Sequence, residues 1–408
     1  MDKSTLDKIK AGLICLWEKF EIDNDYLDSE NDEWIEEFDQ DELTVDFPDD
    51  QSHIFYSVSD FLDYMSDINT FEIVSNSTAR TSHIRQTVIT SEYGNYELFE
   101  DILASYEFVG DGYVIRIIKY PFLIGLMNTK TGNSDDNYGV GSCDLYLAIE
   151  IKYTGETRLS VEDEDDQIAR ILYYISSQVG AAVYVSDVID VQDIYEQEIE
   201  EEDEVEKHTI DIKDIPQYSA LMNLYIQAEK AKDPEIKFLQ FYKVIEYISP
   251  VVAKLAAYER LNKRLDILPS VNRDYHYLDS LLEIAHKYDE DVKDDYLAIC
   301  VMQNCVDVVP LWEYLPERFK KQIKNNLKLT KDTVSDSDLD EPGLRSLQKQ
   351  IANIIYSTRN SIVHAKSNYQ PNGLELSEEE MTEGNEMMNI IAKSIICWDL
   401  RQPDGLRV

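Results

Sequence analysis

The sequence predicts an α+β N-terminal half followed by an all-α helical bundle. Short β-branched and aromatic runs bounded by Gly, Asn and Asp crowd residues 71–192. From Tyr218 onward apolar residues recur at helical spacing almost to the end. A dense acidic run, EQEIEEEDEVEK, lies between the two regions. At 408 residues, and roughly 150 residues per domain, two or three domains are expected.

Residues 1–70 read as an acidic, helical N-terminal segment. MDKSTLDKIKAGLICLWEKF is an amphipathic helix and not a signal peptide, because charges interrupt every apolar stretch. Trp34, Phe38 and Phe47 are interleaved with the following acidic clusters, so part of this stretch is expected to dock on a neighbour. Residues 71–200 form the α/β domain, with a sensor or regulatory role expected. TFEIVS, SHIRQTVIT, GYVIRIIKY, CDLYLAIEIKY and AAVYVSDV are its strands, and DDQIARILYYISSQ is a helix. Residues 201–215 read as an acidic linker, with the main boundary near residue 210. In residues 216–408, YSALMNLYIQAEKAK stops at Asp233-Pro234, and EIKFLQFYKVIEYISPVVAKLAAYERLNKRL continues as a second and third helix. DTVSDSDLDEPG is a loop. Ser377 and Glu380 have capping-box spacing for a last helix ending near Leu400. Five to seven helices are expected in all.

The 43% hydrophobic content supports a sizeable core. The five Cys are scattered and form no CxxC pair, which fits reduced thiols in the cytoplasm and neither disulfides nor zinc. No uncharged apolar window approaches about 18 residues, so no membrane span is expected. There is no GxxxxGK[ST] loop, no GxGxxG after a strand and no HExxH, so no cofactor or metal is expected. The net charge of −43 is lopsided: residues 1–215 carry −37 and residues 216–408 carry −6. The acidic half repels nucleic acid at long range. It reads either as a solubilising surface or as one that captures a basic protein partner or mimics nucleic-acid phosphates.

The chemistry-bearing segment is YSTRNSIVH. On a helix Asn360 and His364, four apart, share a face, and Arg359 sits beside it; Ile355, Ile362 and Val363 are expected on the buried side. An imidazole, with an ordinary pKa near ~6.5, can take the proton of a ribose 2′-OH. A guanidinium can hold the scissile phosphate in its planar fork. Asn360 would orient either group.

Arg, Asn, then His four residues after the Asn matches the Arg-x4–6-His motif of HEPN ribonucleases, and SALMNLYIQAEKAKDPEIKFLQFYKVIEYI resembles the first helices of HEPN domains from prokaryotic defence and toxin systems. The resemblance covers about residues 216–400. It implies a homodimer whose composite site joins two copies of the motif and cuts RNA without metal, leaving a 2′,3′-cyclic phosphate. It gives Arg359 and His364 the catalytic roles and Asn360 a supporting one; Glu246, in the second helix, is a candidate partner for Arg359.

PERFKKQIKNNLKLTK adds a basic stripe: Arg318, Lys320, Lys321, Lys324, Lys328 and Lys331 with no acidic residue from 318 to 331. Lys320, Lys324, Lys328 and Lys331 are expected along one helix face. The stripe reads either as a track for RNA phosphates or as a dock for the acidic half; if both hold, the acidic half closes the track until a signal releases it. A rival nuclease reading lies in residues 100–190. There Asp136, Asp144, Glu150 and Lys152, followed by Gln167 and Tyr173, resemble a PD-(D/E)xK core in which carboxylates hold Mg²⁺. In that reading Asp144 shares the strand of Glu150. A non-catalytic acidic interaction protein is the alternative of another class.

Overall fold

The computed structural model describes residues 3–22, 42–48, 50, 53–91, 97–133, 142–144, 146–179, 181–186, 207–266, 294–329, 334–335, 338–364 and 370–407. It divides into two compact units, Met1–Pro216 and Gln217–Val408, the first built on a sheet and the second from helices.

Helix α1 (Lys3–Phe20) buries Ile9, Leu13, Leu16 and Phe20 along one face. Strands β1 (Glu42–Val45) and β2 (Ile54–Ser57) form an antiparallel hairpin. Helix α2 (Val58–Ser66) starts at Ser57, whose Oγ accepts the Asp60 N–H at 3.0 Å. Residues 1–70 are therefore not an all-helical segment. Leu43, Val45, Ile54 and Tyr56 alternate with more exposed residues and are buried, a period-two pattern written inside acid-rich text. Phe47 docks as expected, packing edge-on against Phe122 at 5.7 Å. Trp34 and Phe38 lie outside the described residues.

The large sheet collects β3 (Glu72–Ser75), β4 (Thr78–Arg80), β5 (Ile84–Ser91), β6 (Tyr106–Val109), β7 (Tyr113–Lys119), β8 (Leu147–Tyr153), β9 (Val183–Val185) and β10 (His208–Asp211). Its order is β10-β6-β7-β8-β5-β4-β3, with β9 also paired to β5. Among the described residues only the β10–β6 pairing is parallel. Strand β8 lies between β7 and β5, and six of its seven residues are buried, as its continuous apolar run demands. Helices α3 (Glu97–Ala104), α4 (Phe122–Thr131) and α5 (Val161–Val179) also belong to this unit. Buried Arg85 pins α5 through Glu164 at 2.9 Å and Asp165 at 2.6 Å.

The expected linker at 201–215 is corrected in its second half. Residues 208–211 pair with β6, and Ile212 and Ile215 are buried. Arg170 of α5 donates to the carbonyls of Ile212 at 2.6 Å and Ile215 at 3.0 Å. Alternating HTID and two apolar anchors outweigh the acidic composition that suggested a solvated stretch.

Asp50, between β1 and β2 in the chain, accepts at Oδ1 the N–H of Cys143 at 2.8 Å and of Asp144 at 3.3 Å. Burial, with the neighbouring Asp144 charge, pushes the Asp50 carboxyl up to about 7. An acid raised in the folded state binds a proton that the unfolded chain has released, so folding stability falls as pH rises from about 4 to about 7. Asp50→Asn is expected to flatten that slope, which thermal unfolding at a series of pH values reads directly.

Among the described residues the second unit holds α6 (Ala220–Glu229), α7 (Pro234–Asp266), α8 (Asp294–Cys305), α9 (Glu317–Leu327), α10 (Glu341–His364) and α11 (Met381–Leu400). Ser219 caps α6, accepting the Leu221 N–H, and donates to buried Asp399 at 2.9 Å. Pro234 opens α7, where its missing N–H costs nothing. The helix then runs unbroken through Pro250, so the two helices expected there are one. Proline denies the Glu246 carbonyl its usual partner, and the Ser249 hydroxyl donates to that carbonyl instead, at 3.1 Å. Phe238, Phe241, Ile245, Ile248 and Val252 form the buried seam of α7, and Met388, Ile391 and Ile395 that of α11, which packs against it.

The Ser377–Glu380 capping box is present, and α11 ends at Leu400. At Gly384 a Cβ would lie 2.4 Å from Cδ1 of buried Leu376, so the Leu376 side chain must shift to admit a methyl. Gly384→Ala is expected to lower stability by about 1–3 kcal/mol, measured by urea unfolding. Among the described residues no helix is long and apolar enough to cross a membrane.

Candidate functional site

Helix α10 begins where Asp340 Oδ1 accepts the Gly343 N–H at 2.8 Å, and it buries Leu347, Ile351, Ile354, Ile355 and Thr358. Its last turn carries Arg359, Asn360 and His364. Ile355 faces the core as expected, Ile362 is half-buried, and Val363 is 48% exposed, so it is not on the buried side. Five residues at 100° each place Val363 about 140° round the helix from buried Thr358.

Arg359 is held from two directions. Its Nη2 donates to Glu246 Oε1 at 3.0 Å and its Nη1 to Asn360 Oδ1 at 3.1 Å. The guanidinium also lies 5.5 Å from the ring centroid of Tyr242. Tyr242 and Glu246 are one turn apart on α7, so a single helix face presents both. Glu246 is nearly half exposed, and the pair adds little to stability; what it supplies is orientation. A guanidinium has five N–H donors, and these two bonds leave three for an anion. His364 is the last residue of α10 and is exposed.

A second layer braces this turn from below, and sequence reasoning missed it. Asn372 Nδ2 donates to Ser357 Oγ at 3.1 Å, and the Leu376 N–H donates to Thr358 Oγ1 at 3.0 Å. Thr358 in turn donates to the Ile354 carbonyl at 2.8 Å. The segment after α10 is thus fastened to the residues just before Arg359. The visible signal was two hydroxyl residues on an apolar helix face followed by the turn Pro371-Asn372-Gly373.

The basic stripe does not run as one helical track. Helix α9 stops at Leu327, and Lys328 adopts the left-handed conformation at φ 55°. Arg318 is bound by Glu380 Oε2 at 2.6 Å and by the carbonyls of Gly373 and Glu375, so it clamps the same brace. Its guanidinium sits higher than usual in pKa because of the Glu380 carboxylate. Lys320 donates to the Glu313 carbonyl at 3.1 Å and to Glu317 at 3.2 Å. Lys321 and Lys328 are exposed and Lys324 is half-buried, while Lys331 lies outside the described residues.

In the first unit Asp144 sits in a turn before β8 and not on the strand, because the strand begins only at Leu147. Glu150 is fully buried. Arg116 Nε donates to its Oε1 at 2.9 Å, and Gln86 and Tyr64 donate to Oε2 at 2.6 and 3.0 Å. Lys152 pairs with Asp63 at 2.5 Å. Gln167 accepts from Arg170 and Tyr173 is buried. Glu150 is therefore the counter-ion of an arginine. Among the described residues no group of three or more His, Cys, Asp or Glu is arranged for a metal, and Asp136 lies outside them.

No family model, no curated protein and no solved structure matches this chain.

Proposed function

We propose that the C-terminal unit is a metal-independent endoribonuclease of the HEPN kind, acting in the cytoplasm in antiviral defence or growth arrest. The observation that carries this reading is Arg359 held by Glu246 and Asn360, with three donors unspent, just over a turn before an exposed His364. In the reaction, His364 takes the proton of a ribose 2′-OH. That oxygen attacks the adjacent phosphorus, and the 5′ oxygen leaves with a proton, giving a 2′,3′-cyclic phosphate and a 5′-hydroxyl. Arg359 neutralises charge that grows on the non-bridging oxygens. One histidine cannot be both base and acid in the same step, so a second copy of the chain supplies the second imidazole. Val363 and Tyr247, exposed at 48% and 46%, put apolar surface beside the motif and beside Glu246 for that copy to cover.

The test is incubation of the purified chain with single-stranded RNA in the presence of a chelator. Fragments ending in 2′,3′-cyclic phosphate are expected. Absence of cleavage, or cleavage that stops when metal is removed, defeats the proposal.

A further inference from the structure

A cleft of about 390 Å³ opens in the first unit between the β2–α2 corner and strands β6, β7 and β10. That places it at the lower end of the roughly 300–1,000 Å³ of small-molecule sites, so it has room for one compact ligand and not for a polymer. Three of the fourteen Lys and Arg in residues 1–215, Arg116, Lys119 and Lys207, line it. Two acids line it as well. Asp60 is engaged by Arg116 and Ser57, and Glu107 stands across from Arg116 in strand register. Lys119 is tied to Asp101 at 2.7 Å, so Arg116 and Lys207 are the cations that face the cleft, inside a half whose net charge is −37.

Arg116 is fixed for such a ligand. Nε donates to Glu150 at 2.9 Å and Nη2 to Asp60 at 3.2 Å, while Nη1 has no protein acceptor among the described residues. The rim is aromatic: Phe55 is 61% exposed and Tyr120 is 38% exposed, with Tyr106 alongside. Tyr120 also holds a backbone conformation that a bulky residue before proline avoids, with φ at 54°. Its carbonyl accepts the Tyr56 hydroxyl at 2.9 Å and its N–H donates to the Tyr146 carbonyl at 3.2 Å. Strain in a rigidly held aromatic at the mouth of a cleft is what ligand clamps show.

We propose that this cleft binds one nucleotide-class molecule, its planar ring against Phe55 and Tyr120 and its phosphate on Arg116 Nη1 and Lys207. The proposal stands apart from the chemistry of the C-terminal unit. Calorimetric titration of the full chain with adenosine, guanosine, cytidine and uridine 5′-monophosphate, each in turn, tests it, with inorganic phosphate as the comparison. At least one nucleotide is expected to bind saturably, and at least about tenfold more tightly than phosphate. Phe55→Ala and Lys207→Glu, both at exposed side chains, are each expected to weaken it about tenfold with thermal unfolding unchanged. Arg359→Ala is expected to leave it untouched. If none of the four binds at millimolar concentration, if phosphate alone binds equally well, or if both cleft variants bind like the parent, the proposal is overturned. A loss confined to Arg359→Ala also overturns it, since the nucleotide then occupies the other unit.

Discussion

On the proposed function, changing His364 to Ala is expected to lower RNA cleavage by about two to four orders of magnitude and to leave the protein folded. His364 ends α10 on the exposed surface, so removal of its ring opens no cavity. What the variant loses is the group that, in the proposed reaction, accepts the 2′-hydroxyl proton. Arg359→Ala is expected to do as much, by leaving the phosphate without its cation. Arg359→Lys restores little, because a point charge cannot keep Glu246 and Asn360 while also bridging two phosphate oxygens. Glu246→Gln has a smaller effect, since an amide still accepts from Nη2. Single-turnover cleavage of a labelled RNA measures all four, with circular dichroism as the check on folding. A His364→Ala protein that cuts at the parental rate ends the ribonuclease reading.

Arg116→Ala is expected to lower the stability of the sheet-containing unit by about 3–5 kcal/mol, the scale for removing one partner of a buried pair. Glu150 is fully buried in the middle strand of the sheet, and Arg116 is the cation that pairs with it, at 2.9 Å. Tyr64 and Gln86 still donate to Oε2 after the change, but neither carries charge. The converse change, Glu150→Gln, keeps shape and hydrogen-bonding capacity and costs less. It also leaves Arg116 with Asp60, whose carboxyl is held below its ordinary pKa, against its burial, by the Arg116 guanidinium. Adding Glu150→Gln to Arg116→Ala should recover part of the loss, because no buried charge is then uncompensated. Urea unfolding of the three variants checks the order.

Strands β3, β5, β7, β8 and β9 were legible because each lies in a short β-branched or aromatic run, and the last helix because Ser377 and Glu380 announce it; β4, β6 and β10, of three or four residues each, were not. The hairpin at 42–57 was not. Its strands are four residues each, and their alternation is diluted by the acids around them. Proline misled in the opposite direction at position 250, where one missing N–H is absorbed by the Ser249 hydroxyl and packing on either side carries the helix through. The basic stripe assumed a helix continuing past Asn325-Asn326, which the left-handed Lys328 ends. Composition ranks residues by type, whereas a side chain's role is set by the carboxylate or carbonyl the fold puts in its reach. Arg318 and Arg359 are both arginines on helices of one unit. The first has its fork filled by Glu380 and two carbonyls, and the second keeps donors open.

Strand β10 decides how the chain can be cut apart. The acidic run begins after β9 and ends before β10, and both strands are registered in the same sheet, so its length can vary without moving either anchor. Severing the chain within that run takes the edge strand away from β6 and strips Arg170 of the two carbonyls it grips. The severed helical piece would then carry Ile212 and Ile215, apolar residues with no sheet to cover them. A separation at Pro216 leaves each piece its own core. Anyone expressing the halves independently should expect aggregation from the first division and well-behaved protein from the second.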